Sequence, residues 1–260
     1  MSLACAMLEP ARARGLPGER APAASILPLT LDEVIYEVAG QRLIDGVSLA
    51  FEAGPRSVVL GPNGAGKSLL LRLCHGLIRP SAGRVVWAGA NGGAARRRQA
   101  MVFQTPVLLR RSTAANVAYP LRLRGVPRHI REARVAEALA LAGLSALAGR
   151  PARVLSGGEQ QRLAIARAWA TGPEVLFLDE PTARLDPAAT RAIEDLIRTV
   201  HAGGTKIVMT THDLGQARRL ADEVLFLHGG RLIERAPADQ FFAGPRSAEA
   251  AAFIKGDLLW

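Results

Sequence analysis

The sequence has no run of 18 or more uncharged apolar residues, which excludes a membrane-spanning helix, so any membrane role passes through a partner. Cysteine is nearly absent. Cys5 and Cys74 are too few for a disulfide framework or a cysteine-based metal site, as expected of a chain kept in a reducing cytosol. The apolar stretch from Met1 to Leu8 stops at Glu9 and Pro10, too short for a secretory signal. Residues 1–28 are rich in Ala, Pro and Arg and offer little surface to bury, so they read as a disordered tail. Internal repeats and coiled-coil heptads are also missing.

One long segment lacks lysine. From Arg96 to Leu155 there are twelve Arg and only two acids, Glu132 and Glu137, a net +10 that equals the net charge of the whole chain. The other residues hold 21 basic and 21 acidic groups and cancel. A basic balance raises nucleic acid as a partner, but an excess confined to one segment points to a local surface instead.

The 260 residues, 49% hydrophobic and 22% charged, suit one large α/β domain or two small ones. LTLDEVIYEV, VSLAFEAG and SVVLG read as strands bounded by turn residues. KSLLLRLCHGLI then puts Leu70, Leu73, Cys74 and Leu77 on one helical face, with Arg79-Pro80 as its end. RVVWAG, a Gly-rich stretch from Asn91 to Gly93, and MVF suggest that this early sheet closes near position 104. From Ser112 to about Leu147 apolar residues recur at helical spacing, with breaks expected at Pro120, Gly125–Pro127 and Gly143. Beyond Leu155, helices alternate with the apolar strands VLFLD, KIVMTT and VLFLH, the pattern of a sheet covered on both faces.

Three constellations carry chemistry. Gly61-Pro62-Asn63-Gly64-Ala65-Gly66-Lys67-Ser68 matches G-x-x-x-x-G-K-[ST] between a strand and a helix, the context this phosphate-binding loop requires. Its backbone N–H groups and helix N-terminus meet phosphate, Lys67 reaches the outer phosphates, and Ser68 holds Mg²⁺. Asp179 and Glu180 end an apolar strand; Asp179 suits the Mg²⁺ shell, and Glu180 suits a general base for the attacking water. Ser156-Gly157-Gly158-Glu159 opens a helix and forms a second anion site, in which Ser156 and Glu159 also fit a capping box.

The phosphate loop, LSGGEQ, LFLDEPT and the isolated His212 after KIVMTT occur in the order seen in ABC-transporter ATPases, and the chain resembles that family from about Leu29 to Gly230. The resemblance implies an α/β phosphate-loop NTPase core with an N-terminal antiparallel β part and a helical subdomain inserted at about 105–160. It places the ATPase domain at 29–245 and a C-terminal helix at 246–260. It further implies ATP and Mg²⁺ as ligands, Gln104 as a glutamine touching Mg²⁺ or the attacking water, and His212 as a contact of the γ-phosphate. Two copies would meet head to tail, with Ser156, Gly157, Gly158 and Glu159 of one chain covering ATP on the other. The D-loop position reads Thr182-Ala183-Arg184-Leu185-Asp186 where relatives usually show a SALD-like stretch, and Asp186 is also placed to cap the next helix. For the aromatic that stacks on adenine, Tyr36 is the candidate, although the usual slot falls nearer Val38.

Integral membrane permease subunits are the implied partners, with an extracytoplasmic solute-binding protein behind them and no nucleic acid. The implied location is the cytoplasmic face of the inner membrane. The Arg-rich block would face permease and lipid headgroups. The segments 101–119, 211–234 and 241–259 are similar to ATPases of tungstate-type oxyanion importers, with phosphate importers next; the chain shows no long C-terminal regulatory domain. A non-transport ATPase of DNA repair or translation is the second reading, but its long coiled-coil insertion or second cassette does not occur here.

Overall fold

A computed structural model describes residues 25–89 and 93–257. Strands β1 (Leu29–Val38) and β2 (Gln41–Phe51) form an antiparallel hairpin whose turn residues Ala39 and Gly40 both take positive φ, 50° and 80°. Such turns match the right-handed twist of the strands they join. β4 (Ala82–Trp87) pairs antiparallel with the other edge of β1 and completes a three-stranded sheet.

The second sheet has six strands in the order β5-β6-β7-β3-β8-β9. β5 (Gln99–Val102), β6 (Val175–Asp179), β7 (Lys206–Thr211), β3 (Ser57–Leu60) and β8 (Glu223–His228) are parallel, and β9 (Arg231–Pro237) closes the edge antiparallel. Every residue of β3, β6 and β7 is buried, as expected of central parallel strands covered on both faces. The early strands therefore divide: β3 and β5 join the parallel sheet, so the early sheet does not close near position 104. Both are four residues long and locally indistinguishable from the hairpin strands; the distant partners β6, β7 and β8 decide their sheet.

Helix α1 (Lys67–His75) follows β3, and α2 (Gly93–Arg97) precedes β5. Leu70, Leu73 and Cys74 are buried as expected, but Leu77 is 50% exposed. Gly76, left-handed at φ 78°, caps α1 ahead of the expected end at Arg79-Pro80 and turns Leu77 off that face. The helical block holds α3 (Thr113–Leu123), α4 (Arg128–Leu141) and two short 3₁₀ turns before α5 (Gly157–Trp169). Pro120 does not break α3. It lies in the last turn, where its missing N–H removes a single bond, and the helix ends at Arg124 and Gly125. α6 (Pro187–Ala202), α7 (Leu214–Leu220), α8 (Ala238–Ala243) and α9 (Ala248–Lys255) complete the chain.

Two boundaries shift. Ile26 is fully buried and its N–H donates to Glu174 Oε2 at 2.9 Å, so the N-terminal tail cannot extend to residue 28; positions 1–24 lie outside the described residues. At the other end α9 stops at Lys255 before left-handed Gly256, and Phe253 packs on the main core with Phe226. Positions 258–260 and the Gly-rich stretch at 90–92 also fall outside the described residues. Among the described residues no helix is long and apolar enough to cross a membrane.

The Arg-rich block is partly occupied internally. Arg124 donates to the Thr171 carbonyl at 2.7 Å, Arg131 to the Val126 carbonyl at 3.3 Å, and Arg128 pairs with Glu132 at 2.8 Å. Arg122 and Arg111 lie over the Tyr119 ring, 5.8 and 5.3 Å from its centroid.

Candidate functional site

The neighbouring strands β5, β6, β7 and β3 deliver Gln104, Asp179-Glu180, His212 and the phosphate loop to the same carboxyl-terminal edge of the sheet. Open parallel sheets bind ligands at that edge. Each chemical group sits at or within a few residues of a strand end; β6, β7 and β3 are paired on both sides, whereas β5 is an edge strand held by β6 alone.

The phosphate loop leaves β3 so close to β8 that a Cβ built on Gly61 would lie 2.1 Å from the Leu227 carbonyl oxygen. Gly66 takes φ 97° and its Cβ would meet Ile44 Cδ1 at 2.8 Å, so glycine is required there twice over. No side chain caps α1 at Gly66, which leaves its first N–H groups aimed at whatever anion the loop holds. Lys67 is 5% exposed; its Nζ donates to the carbonyls of Gly61 and Pro62, each at 2.9 Å, and stands 3.5 Å from Glu180 Oε1. Burial pushes the Lys67 ammonium below the usual lysine range, and the charges of Glu180 and Asp179 oppose that shift.

Asp179, 2% exposed, accepts at Oδ1 from Ser68 Oγ at 2.7 Å and from Thr210 Oγ1 at 2.8 Å. Thr210 Oγ1 also accepts from the Glu180 N–H at 3.0 Å, which fixes Glu180 in a left-handed backbone at φ 43°. The Glu180 carboxylate consequently points back over the loop. Its Oε2 lies 3.2 Å from His212 Nδ1 and 3.5 Å from Gln104 Nε2. These groups line a cavity of about 460 Å³ that reaches Asn63 of the phosphate loop and Arg184 of the next turn.

The structure thus brings Lys67, Ser68, Asp179, Glu180, Gln104 and His212 together. It leaves Ser156–Glu159 elsewhere: among the described residues no hydrogen bond or ion pair joins that segment to the cluster. Ser156 Oγ accepts from the Glu159 N–H at 3.3 Å while Glu159 Oε2 accepts from the Ser156 N–H at 2.7 Å, so the capping box is formed. A Cβ on Gly158 would come within 2.7 Å of Ala189 Cβ, so this glycine also lets α5 pack on α6. Asp186 caps α6 through the Ala189 N–H at 2.8 Å. Tyr36 is half-buried in β1 opposite Ile44 and packs on the apolar core, whereas Val38 at the strand end is 47% exposed.

Sequence reasoning missed Thr210 and Gln216. Thr210 orders both carboxylates, and Gln216, 1% exposed, donates to Thr182 Oγ1 at 2.6 Å. The available signal was a pair of hydroxyls, Thr210 and Thr211, at the end of an otherwise apolar buried strand, where each needs a partner.

Ser68 and Asp179 fit a hard cation, since a hydroxyl and a carboxylate oxygen 2.7 Å apart are the oxygen donors Mg²⁺ takes. Among the described residues no group of three or more His, Cys, Asp or Glu could hold a metal alone. The pair therefore suits an ion that arrives with nucleotide phosphates.

The ABC transporter family model matches residues 44–183. The chain belongs to that family. The methionine import ATP-binding protein MetN of Caulobacter vibrioides is 44% identical over 230 residues, covering 85% of this chain and 69% of that protein. The tungstate uptake system ATP-binding protein TupC of Peptoclostridium acidaminophilum is 40% identical, covering 83% of this chain and all of TupC. The phosphate import ATP-binding protein PstB 2 of Natronomonas pharaonis is 38% identical, covering 89% and 88%. Among solved structures, cbiO1 from Clostridium perfringens, part of the ABC transporter complex cbiONQ, aligns with a TM-score of 0.76 at 30% identity, covering 83% of this chain and 90% of that one. The chain is an ATP-binding subunit of ABC import systems and an ATPase, and its mixed fold of antiparallel and parallel sheets is that of the ABC ATPases. Methionine, tungstate and phosphate systems all stand among the relatives, so the tungstate type is not singled out.

Proposed function

We propose that the chain hydrolyses Mg²⁺-bound ATP in the cavity around Glu180 and transmits the closure of two such chains to a membrane permease that imports a small solute. The observation that carries this reading is the convergence on Glu180 of Lys67 at 3.5 Å and His212 at 3.2 Å, with Asp179 tied to Ser68 at 2.7 Å. Lys67 exchanges the carbonyls of Gly61 and Pro62 for phosphate oxygens, and the open N-terminus of α1 adds its N–H groups. Ser68 and Asp179, with Gln104, would hold Mg²⁺, which when bound would offset phosphate charge. Glu180 takes the proton of the attacking water while His212 and Gln104 hold its carboxylate.

Ser156, Gly157, Gly158 and Glu159 complete the site from a second, head-to-tail copy, because a single chain keeps them off the cluster. Ser156→Ala should cost about 1 kcal/mol of stability as a lost cap, read from the denaturation midpoint. Turnover should fall further than that loss accounts for. Wild-type turnover in this variant would refute the role in trans.

The permease docks where an apolar cleft of about 370 Å³ opens beyond Gln104 between β5, α3 and α5. Val107 and Leu123, each 69% exposed, line it with Phe103 and Tyr119. In this reading the chain lies peripherally on the cytoplasmic face of the membrane, and an extracytoplasmic binding protein delivers cargo from the far side. Leu123→Glu should abolish transport and leave ATP hydrolysis by the isolated chain unchanged; transport at the wild-type rate would rule this cleft out.

The cargo we assign is a small oxyanion of the tungstate class, on the likeness of residues 101–119, 211–234 and 241–259 to tungstate-type ATPases. The test is uptake of tungstate, molybdate, phosphate and methionine by cells carrying the wild-type chain or Lys67→Ala. Lys67-dependent methionine uptake with no oxyanion uptake would overturn the assignment.

A further inference from the structure

Arg184 lies in the turn between β6 and α6, two residues before the cap of α6. Its φ of 63° puts a large side chain in the left-handed region, where residues other than glycine are strained and where such strain often accompanies function. The turn is held from both sides. Gln216 donates to Thr182 Oγ1 at 2.6 Å, and Asp186 Oδ1 accepts from the Ala189 N–H at 2.8 Å. The other amide atom of Gln216, Oε1, is buried without a partner, so α7 grips the turn at the expense of an unsatisfied acceptor.

Arg184 lines the same cavity as Asn63, Gln104, Glu180 and His212. Two carboxylates line that cavity: Glu180 is engaged by Lys67 and His212, and Asp213 Oδ1 accepts from the Gln216 N–H at 2.9 Å. Among the described residues no carboxylate pairs with Arg184. A guanidinium held in a strained turn, facing a cavity that reaches the phosphate loop and lacking a counter-charge, is complementary to an anion. Its planar fork matches phosphate oxygens in pairs.

We propose that Arg184 is a catalytic arginine that contacts the terminal phosphate oxygens of ATP in this cavity. The inference rests on the hydrolysis reading above and deepens it. During turnover the water oxygen bonds to the γ-phosphorus and the bond to the β–γ bridging oxygen breaks. The water proton passes to Glu180, and ADP and phosphate leave. Negative charge on the phosphoryl and bridging oxygens is met by Lys67 from the loop and by Arg184 from the facing turn. An oriented donor of this kind is worth about 10²-fold or more in rate when it acts on developing charge.

The experiment uses the full chain with Mg²⁺ and ATP, and orthovanadate as a probe of the terminal phosphate position. Arg184→Ala should lower kcat by about 10²-fold with little change in KM. Arg184→Lys should restore part of the rate, and orthovanadate inhibition should weaken in step with kcat. Arg184→Gly separates the guanidinium from the turn, since glycine accepts φ 63° without strain; it should lose rate as fully as the alanine variant. Wild-type turnover in the glycine variant, or unchanged orthovanadate inhibition in the alanine variant, overturns the proposal. Glu180→Gln distinguishes the two levels. If it stops hydrolysis while Arg184→Ala does not, the role of Arg184 falls and the site stands; if it leaves hydrolysis intact, both fall.

Discussion

Replacing Glu180 by Gln is expected to lower ATP turnover by about 10²–10⁴-fold while ATP binding and ATP-dependent pairing of two chains persist. The amide has the size of the carboxylate and retains an oxygen that accepts from Gln104 or His212, so the cavity keeps its shape. It loses the ability to take a proton at the pH of turnover. The backbone also resists change, because the Glu180 N–H stays bonded to Thr210 Oγ1 at 3.0 Å in either variant. One side effect follows from Lys67. Glu180 is the larger of two charges that counter the burial of its ammonium, so removing that charge pushes the Lys67 pKa further down. Phosphate binding restores a counter-charge, which is why binding survives. Turnover and equilibrium ATP binding measured on the same preparation check the prediction. Wild-type turnover would remove Glu180 as the base; lost binding would show that its charge serves the phosphate loop instead.

The site was more legible in the sequence than the sheet that carries it. Lys67, Ser68, Asp179 and Glu180 stand beside strand ends in short patterns that local chemistry demands, whereas His212 and Gln104 were named only through the family resemblance. The sheet order joins β5 to β6 and β3 to β7 and β8 across long separations, and nothing within a four-residue strand names such a partner. The tail boundary failed for the same reason, since Ile26 packs into a core built from distant strands and its N–H donates to Glu174, 148 residues away. Thr210 was hidden differently: a threonine in a buried strand reads as an ordinary β-former, and its two bonds appear only once β6 lies beside β7. Pro120 and Leu77 show the limit of breaker and periodicity rules. A proline in a last turn costs a helix little, and a glycine cap ends an apolar stripe earlier than its spacing suggests.

Gly61→Ala is expected to be the most damaging single-methyl change in the phosphate loop. The new Cβ would stand 2.1 Å from the Leu227 carbonyl oxygen and 3.2 Å from its carbon. That oxygen belongs to β8, a buried strand hydrogen-bonded to β3 and β9, so it cannot retreat. Relief must come from the loop, which would lift away from the sheet edge. Lys67 would move with it, because its Nζ is bonded to the Gly61 and Pro62 carbonyls, and the spacing to Glu180 and Asp179 would be lost. Overpacking of this kind costs about 1–3 kcal/mol. The larger effect falls on function, because displaced N–H groups and a misplaced ammonium cannot meet phosphate together. The expected result is a lower unfolding temperature together with loss of measurable ATP binding. Gly64→Ala is the matched control: it places a methyl in open space, so its cost is confined to the strain of φ 82°. If Gly61→Ala and Gly64→Ala weaken ATP binding equally, backbone strain decides the loop's competence rather than its seat against β8.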